Sequence, residues 1–325
     1  MIRIKPLSSE TIDGVVNVEI ASTEKWYLYK SLDQRITKDY SELSPEQRWF
    51  HGGATMDIAL FEKYLEELQR KKFDPLKFFV ALEKKKVVGF AAIITGEDFL
   101  LGKHGYIDLL LVHPEHRRKG VAQKLVQHLE TIAKEEDCEN LFVYPEDFDG
   151  PSGRFYKKMG FEKWRDKYFV QIDAVDYCDY PFKWLSQPKT RKNYWLFEIG
   201  WNSSPGKSWI LLHTTFAREF FEQKKEVKRM VDEQGNFAVV GVIRNHPFFT
   251  SGQASLWLTM EREDVENRVT STHIKALKYL GFEAGLKKLN LYLLEDDLSF
   301  LQEKLKEWEI KNKPQKTEPW MIKRI

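Results

Sequence analysis

Cysteine is scarce in this chain, two in 325 residues, Cys138 and Cys178, with no CxxC pair and no His/Cys spacing of the kind that holds zinc. That excludes a disulfide-dense scaffold and a thiolate metal centre and suits a reduced compartment, although one bridge between the two thiols stays open. Net charge is equally small, +2 from 51 lysines and arginines against 49 acids, which argues against a nucleic-acid binder driven by bulk charge. No apolar run approaches a membrane span, and the N-terminus MIRIKPLSSE has no apolar signal core. The expectation is a soluble cytoplasmic protein with no nucleic-acid or membrane partner, whose ligands are chosen by a site rather than by a field. A chain of 325 residues is long for one domain, so two are expected, each able to bury its own core.

What is present is concentrated in YIDLLLVHPEHRRKGVAQKLVQ, Tyr106 to Gln127. A short apolar run broken only by Asp108 reads as a strand covered on both faces. His113-Pro114-Glu115-His116 forms a polar loop, and from Val121 onward Ala122, Leu125, Val126, Leu129, Ile132 and Ala133 recur at helical spacing and make one apolar face. Arg117, Arg118, Lys119 and Gly120 therefore stand at a helix start, where free N–H groups and the macrodipole favour an anion. Gly120 and Ala122 have almost no side chain, so a ligand can approach the backbone itself. The ordinary alternative is a helix that happens to start with a glycine and a basic cluster. His113 and His116, spaced H-x-x-H with no third ligand in sight, read as part of that solvated loop, and no metal is expected.

Farther on, Asn140 to Tyr144 reads as a second buried strand, and SGRFYKKMG, Ser152 to Gly160, as a short helix capped by glycine. At this point the chain resembles the GNAT acetyltransferase superfamily, whose signature is an apolar strand, V-x-P, R/Q-x-x-G-x-G/A, a helix, a strand and Y-x-x-x-G-F. The matches are Val112-His113-Pro114, Arg117 to Ala122, and Tyr156-Lys157-Lys158-Met159-Gly160-Phe161. Ala122 replaces the second glycine, and Asp149 and Ser152 stand where many relatives carry Asn and Ala. The resemblance implies a mixed, mostly antiparallel α/β (α+β) sheet flanked by helices, and acetyl-CoA as acyl donor. It further implies that Arg117, Arg118, Lys119, Gly120, Val121, Ala122 and Gln123 hold the pyrophosphate. The pantetheine arm would lie beside Leu110, Leu111 and Val112, where the family's strand splays and an N–H near Leu111 or Val112 polarises the thioester. Tyr156 matches the family's proton donor to the thiolate. Asp108, in alternation with Leu110 and Val112, is either a base or ammonium anchor facing the cleft, or a structural carboxylate.

Before this region, Ile2 and Ile4 alternate with basic residues in a short strand. A helix carries Ile12, Val15, Val16 and Ile20, and Ser44-Pro45-Glu46-Gln47 has the form of a capped helix start. A longer helix is expected from Met56 to Lys71, and Phe78 to Glu83 with Val87 to Thr95 as a hairpin. In the resembled fold the first two helices and their connection wall the acceptor pocket, which makes Trp26, Tyr27, Tyr29, Trp49 and His51 substrate-contact candidates; ordinary packing is the alternative for each. Phe161 to Asp173 reads as a closing strand, and Pro181 and Pro188 punctuate a linker. The expected division is 1–174, a linker or closing strand over 175–205, and 206–325.

The second half is expected to repeat the element order of the first: strands near Tyr194 to Gly200 and Trp209 to His213, a helix over Ala217 to Met230, strands over Asn236 to Ile243 and Ser255 to Met260, a helix over Glu263 to Leu280, a strand over Leu289 to Leu294 and a last helix after Asp297. Setting Val112 on Thr259 puts Glu263, Asp264 and Glu266 near the equivalent helix start, where they would repel a pyrophosphate. A degenerate second copy follows from this, against an unrelated α/β domain. The expected activity is transfer of acetyl to a primary amine of a small molecule or peptide, with a longer acyl-CoA or a CoA-binding sensor without turnover as alternatives, and a monomer or homodimer as the assembly.

Overall fold

The computed structural model describes residues 1–30, 34–48, 58, 61–62, 65–66, 76–98, 102–176, 182–185, 197–199, 224–244, 250–258, 271–295, 306, 310 and 313–325. The first half opens with β1 (Ile2–Pro6) and α1 (Ile12–Ser22), then a small hairpin of β2 (Trp26–Tyr29) and β3 (Arg35–Lys38), and α2 (Pro45–Arg48). Ser44 and Gln47 form the expected capping box at α2, with Ser44 N–H donating to Gln47 Oε1 at 2.9 Å and Gln47 N–H to Ser44 Oγ at 3.3 Å. There follow β4 (Leu76–Glu83), β5 (Lys86–Asp98), β6 (Gly102–Val112), α3 (Val121–Glu135), β7 (Asn140–Val143), α4 (Pro151–Lys158) and β8 (Glu162–Arg165). Of the helix expected over 56–71, residues 58, 61–62 and 65–66 are helical and the rest lie outside the described residues.

β9 (Lys167–Asp173), β10 (Phe182–Leu185) and β11 (Phe197–Ile199) lead into β12 (Lys224–Asp232), β13 (Phe237–Arg244), β14 (Ser251–Leu258), α5 (Ser271–Glu283) and β15 (Lys288–Leu294). The chain closes with β16 (Gln315–Lys316) and β17 (Trp320–Arg324). Two large sheets result. The first has the order β1-β4-β5-β6-β7-β17-β8, and the second β10-β12-β13-β14-β15-β9-β16 with β11 paired to β14. Pairing is antiparallel except for β6 with β7 and β14 with β15.

The first sheet is apolar on both faces. Val15 and Val16 of α1 pack with Val80, Phe90 and Tyr106 on one face, and Leu125, Val126 and Leu129 of α3 pack with Ala91, Ile107 and Val143 on the other. The spacing of apolar residues read in α3 is thus the face it buries. Its end is a left-handed cap at Asp137 (φ 57°), with Cys138 N–H bonded to Ala133 C=O at 2.9 Å. Cys138 is a free, buried thiol.

The two sheets exchange strands. Phe161 to Asp173, expected as one closing strand, is broken at Asp166: β8 stays in the first sheet, while β9 pairs with β15 in the second, Leu289 opposite Ile172. In return β17, the last strand of the chain, enters the first sheet between β7 and β8, with Met321 opposite Val143 and Lys163. A division at residue 174 is therefore crossed by strands in both directions. The segment expected as linker supplies β10 and β11 to the second sheet.

Two further expectations need correction or stand aside. Residues 224–230, expected at the end of a helix begun at Ala217, form most of β12, because the alternating side of this strand buries Met230 against α5 and β13. Trp209 to His213, the segment 259–270 with Glu263, Asp264 and Glu266, and most of the last expected helix lie outside the described residues.

Candidate active site

β6 carries the first part of the site. Its pairing with β7 runs from His104 opposite Asn140 to Ile107 opposite Val143 and stops, whereas its pairing with β5 continues to Val112 opposite Gly89. Among the described residues no strand pairs with the other edge of Leu109 to Val112. His113 N–H bonds to Val88 C=O at 3.0 Å, and antiparallel pairs alternate, so Leu111 and Leu109 direct their N–H groups to β5 and Val112 and Leu110 direct theirs into the gap. The Val112 carbonyl fits that alternation, since it accepts from Arg117 Nε at 3.2 Å.

Asp108 is the extra residue of a bulge: Ala92 pairs with Leu109 and Ile93 with Ile107. The bulge resets which face each side chain takes. Tyr106, Leu109 and Leu111 join the core on the α1 face, and Ile107, Leu110 and Val112 that on the α3 face. The simple alternation that would align Asp108 with Leu110 and Val112 is thereby broken. Asp108 itself is half-buried, at the point where β6 and β7 part.

The second part is the loop from Arg117 to Gly120, fully on the surface. Arg118 and Gly120 both have left-handed backbone, φ 63° and 78°. Such turns make neighbouring N–H groups converge and form concavities for anions, and a non-glycine residue held there stores strain that sites exploit. Gly120 is the N-cap of α3, and its carbonyl accepts the first helical bond, from Lys124 N–H at 3.1 Å. Among the described residues no backbone carbonyl takes up the N–H groups of Arg118 to Gln123. A Cβ built on Gly120 would meet nothing within 4 Å, so the space over the helix start is open. These unclaimed donors, with Arg117, Arg118 and Lys119 around them, fit a diphosphate.

Tyr156 of α4 is buried in the core on the α3 face, between Phe155 (5.2 Å) and Phe161 (5.4 Å). Burial, and secondarily Tyr106, pushes its phenol well above the ordinary range. Gly160 ends this helix in left-handed backbone, φ 87°, as the Y-x-x-x-G-F spacing leads one to expect.

The acceptor candidates separate. Trp26 is buried against Leu43, its ring 5.0 Å from Tyr40, whereas Tyr27 and Tyr29 lie on the other side of β2, half-buried, with Arg35 4.3 Å over the Tyr27 ring. Trp49 and His51 lie outside the described residues. Between α1 and α2 opens a cavity of about 430 Å³ lined by Asp13, Asn17, Tyr40 and Arg48 among others. His113, Glu115 and His116 come within 4.8 Å of one another, but His113 Nδ1 already accepts Glu115 N–H at 3.3 Å and His116 Nδ1 lies 3.2 Å from Glu83.

Aromatic residues that no local motif announces surround the point where β6 and β7 part. Trp320 of β17 lies 5.2 Å from Tyr106 and 5.5 Å from Tyr144, and the buried Lys167 ammonium sits 3.4 Å over Tyr144 and 4.3 Å over Tyr292. They come from positions far apart in the chain, and only Trp320-Met321-Ile322, an apolar run after Pro319, offers a local sign of its strand.

Residues 39–161 match the acetyltransferase (GNAT) family. An N-alpha-acetyltransferase 30 of Schizosaccharomyces pombe is 29% identical over 108 residues, 32% of this chain and 71% of that protein. Residues 39–161 form a GNAT-family segment of the chain. An uncharacterised N-acetyltransferase of Chlorobaculum tepidum is 36% identical over 94 residues, 29% of this chain and 55% of that protein, so the chain spans about half the length of that relative. Among solved structures, a tandem GNAT protein from the clavulanic acid biosynthesis pathway superposes with TM-score 0.51 at 14% identity, covering 100% of this chain and 98% of that one. A GCN5-related N-acetyltransferase from Kribbella flavida gives 0.51 at 13%, covering 100% and 72%. At that identity the likeness is one of fold, and it extends over both sheets. GNAT proteins as a family are acyl-CoA-dependent acetyltransferases, and no helix among the described residues is long and apolar enough to cross a membrane.

Proposed function

We propose that residues 1–174 form the working copy of a tandem GNAT protein that transfers acetyl from acetyl-CoA directly to a primary amine of a small molecule or peptide. Residues 206–325 form a copy that binds no donor, and the two copies exchange β9 and β17. The observation that carries this reading is the coincidence of the unclaimed N–H groups at the head of α3 with the uncovered edge of β6 that leads to them. The same donor set fits a CoA-binding sensor without turnover, which the assay below separates from an enzyme.

Acetyl-CoA supplies an acetyl group activated as a thioester, and its transfer requires that a proton leave the amine and a proton reach the departing sulfur. The N–H groups of Arg118 to Gln123 hold the diphosphate. Those of Leu110 and Val112 pair with the pantetheine arm and, at the inner end, polarise the thioester carbonyl. Tyr156, a phenol protonated at neutral pH and raised further by its burial, donates to the sulfur. Asp108 attracts the incoming ammonium or takes its proton, and Tyr27, Tyr29, Trp49 and His51 bound the acceptor. The N-alpha-acetyltransferase among the relatives makes peptide α-amines the first acceptors to try.

Release of free CoA thiol, followed across a panel of peptide and small-molecule amines, tests the reading. Tyr156→Phe is expected to lower turnover by about 10²- to 10⁴-fold, the range for loss of a positioned proton donor, with CoA affinity unchanged. Undiminished turnover in Tyr156→Phe removes the acid role, and no release with any amine while CoA still binds favours the sensor.

A further inference from the structure

The second sheet repeats the parting of strands seen in the first. β14 pairs in parallel with β15 only from Ser251 to Gln253, as β6 pairs with β7 only from His104 to Ile107. Three to five residues beyond the last of these pairs, β6 presents Leu110 to Val112 with one edge open, and β14 presents Leu256 to Leu258. Here the two sheets differ. β13 covers one edge of Leu256 to Leu258, with Val240 opposite Leu256 and Ala238 opposite Leu258. The other edge is covered too: β11 runs antiparallel along it, Phe197 opposite Leu258, Glu198 opposite Trp257 and Ile199 opposite Leu256. A strand has two edges, so β11 lies on the side where β15 has parted from β14.

We infer that β11 is an internal occupant of the second copy's donor slot, a strand of the chain paired where a pantetheine arm would otherwise pair, so that the protein carries one acyl-CoA site. Pairing with an exposed strand edge is a general means of capping it, and a peptide strand and an extended amide-bearing arm compete for the same row of N–H and C=O groups. The second copy is thus closed by chain geometry as well as by the acids expected near its helix start. Its contribution to the first copy is β17, the neighbour of β7.

The inference rests on the β6 edge being the donor slot, and residue-resolved amide exchange on the full chain, without and with CoA, separates the two claims. In the ligand-free protein β6 is expected to alternate, Leu109 and Leu111 slow and Leu110 and Val112 fast by a factor on the order of 100. Leu256, Trp257 and Leu258 are expected to be uniformly slow, because both edges are paired. Ile199→Pro, which removes the β11 donor opposite Leu256 and disfavours its pairing, is expected to give β14 the alternation of β6, and calorimetry to find one CoA per chain in the unaltered protein. Alternation in β14 of the unaltered protein, uniform protection that survives Ile199→Pro, or two CoA per chain overturns the inference. Failure of CoA to slow Leu110 and Val112 instead overturns the donor-slot reading, while the ligand-free patterns still decide whether β11 caps β14.

Discussion

Deleting Pro319 to Ile325 is expected to abolish CoA binding and the cooperative unfolding of the first copy, although every residue of the Arg117 to Gln123 loop remains in the chain. β17 occupies the place between β7 and β8, with Lys323 opposite Leu141 and Arg324 opposite Asn140. Its side chains enter both cores: Trp320 joins the α1 face with Phe90 and Tyr106, and Met321 the α3 face with Leu125 and Tyr156. Lys323 pairs with Glu130 on α3, and its aliphatic chain rests against Gly160 at the end of α4. Removal exposes the edge of β7 and detaches β8, so the strand that forms one wall of the donor gap loses its outer neighbour. Truncating Trp320 alone to Ala costs about 3 to 5 kcal/mol by the usual scale for large buried aromatics, a large part of the roughly 5 to 15 kcal/mol that holds a domain folded. Trp320→Phe, which keeps most of the packing, is expected to retain CoA binding with a lower Tm. Calorimetric titration and thermal unfolding of the three variants check this, and a truncated chain that binds CoA normally contradicts the strand exchange.

Gly120→Glu is expected to weaken CoA binding by roughly 100-fold or more, against about 10-fold for Gly120→Ala. The two substitutions share one cost. Left-handed backbone at φ 78° disfavours any side chain by about 1 to 2 kcal/mol. They differ in what they put over the helix start: a methyl group meets no protein atom within 4 Å there, whereas a carboxylate stands among the N–H groups and repels the diphosphate directly. Because Gly120 is exposed and touches no core residue, both variants are expected to fold. Affinity by calorimetry, with Tm as the folding control, checks the pair; equal effects of Ala and Glu would mean that backbone strain alone acts and that no anion rests on this helix end.

Much of the candidate site's local geometry was legible because its parts are local. The left-handed glycine, the open helix start and the capped α4 are each written within about six consecutive residues, and the α3 and α1 faces follow from periodicity. What escaped was non-local. The bulge at Asp108 depends on how β5 registers against β6, which the apolar run that Asp108 interrupts does not reveal. Phe161 to Asp173 reads as one strand because its composition is uniform on either side of Asp166, yet that residue, buried and paired with Lys163 and Lys316, is where the chain passes from one sheet to the other. Lys224 to Asp232 has apolar residues at Val227, Met230 and Val231, a spacing that fits a helix; partners on both sides, β10 and β13, make it a strand. The aromatic group of Tyr106, Tyr144, Tyr292 and Trp320 exists only once the two copies have exchanged strands.

The central claim, that the first copy holds an acyl-CoA diphosphate on the N–H groups at the start of α3, is tested most directly by a crystal structure of the protein with CoA. The account predicts one CoA per chain, its diphosphate within hydrogen-bonding distance of N–H groups between Arg118 and Gln123 and its pantetheine arm along Leu110 and Val112. CoA bound against β14 and β15, or a diphosphate remote from Gly120, would contradict it.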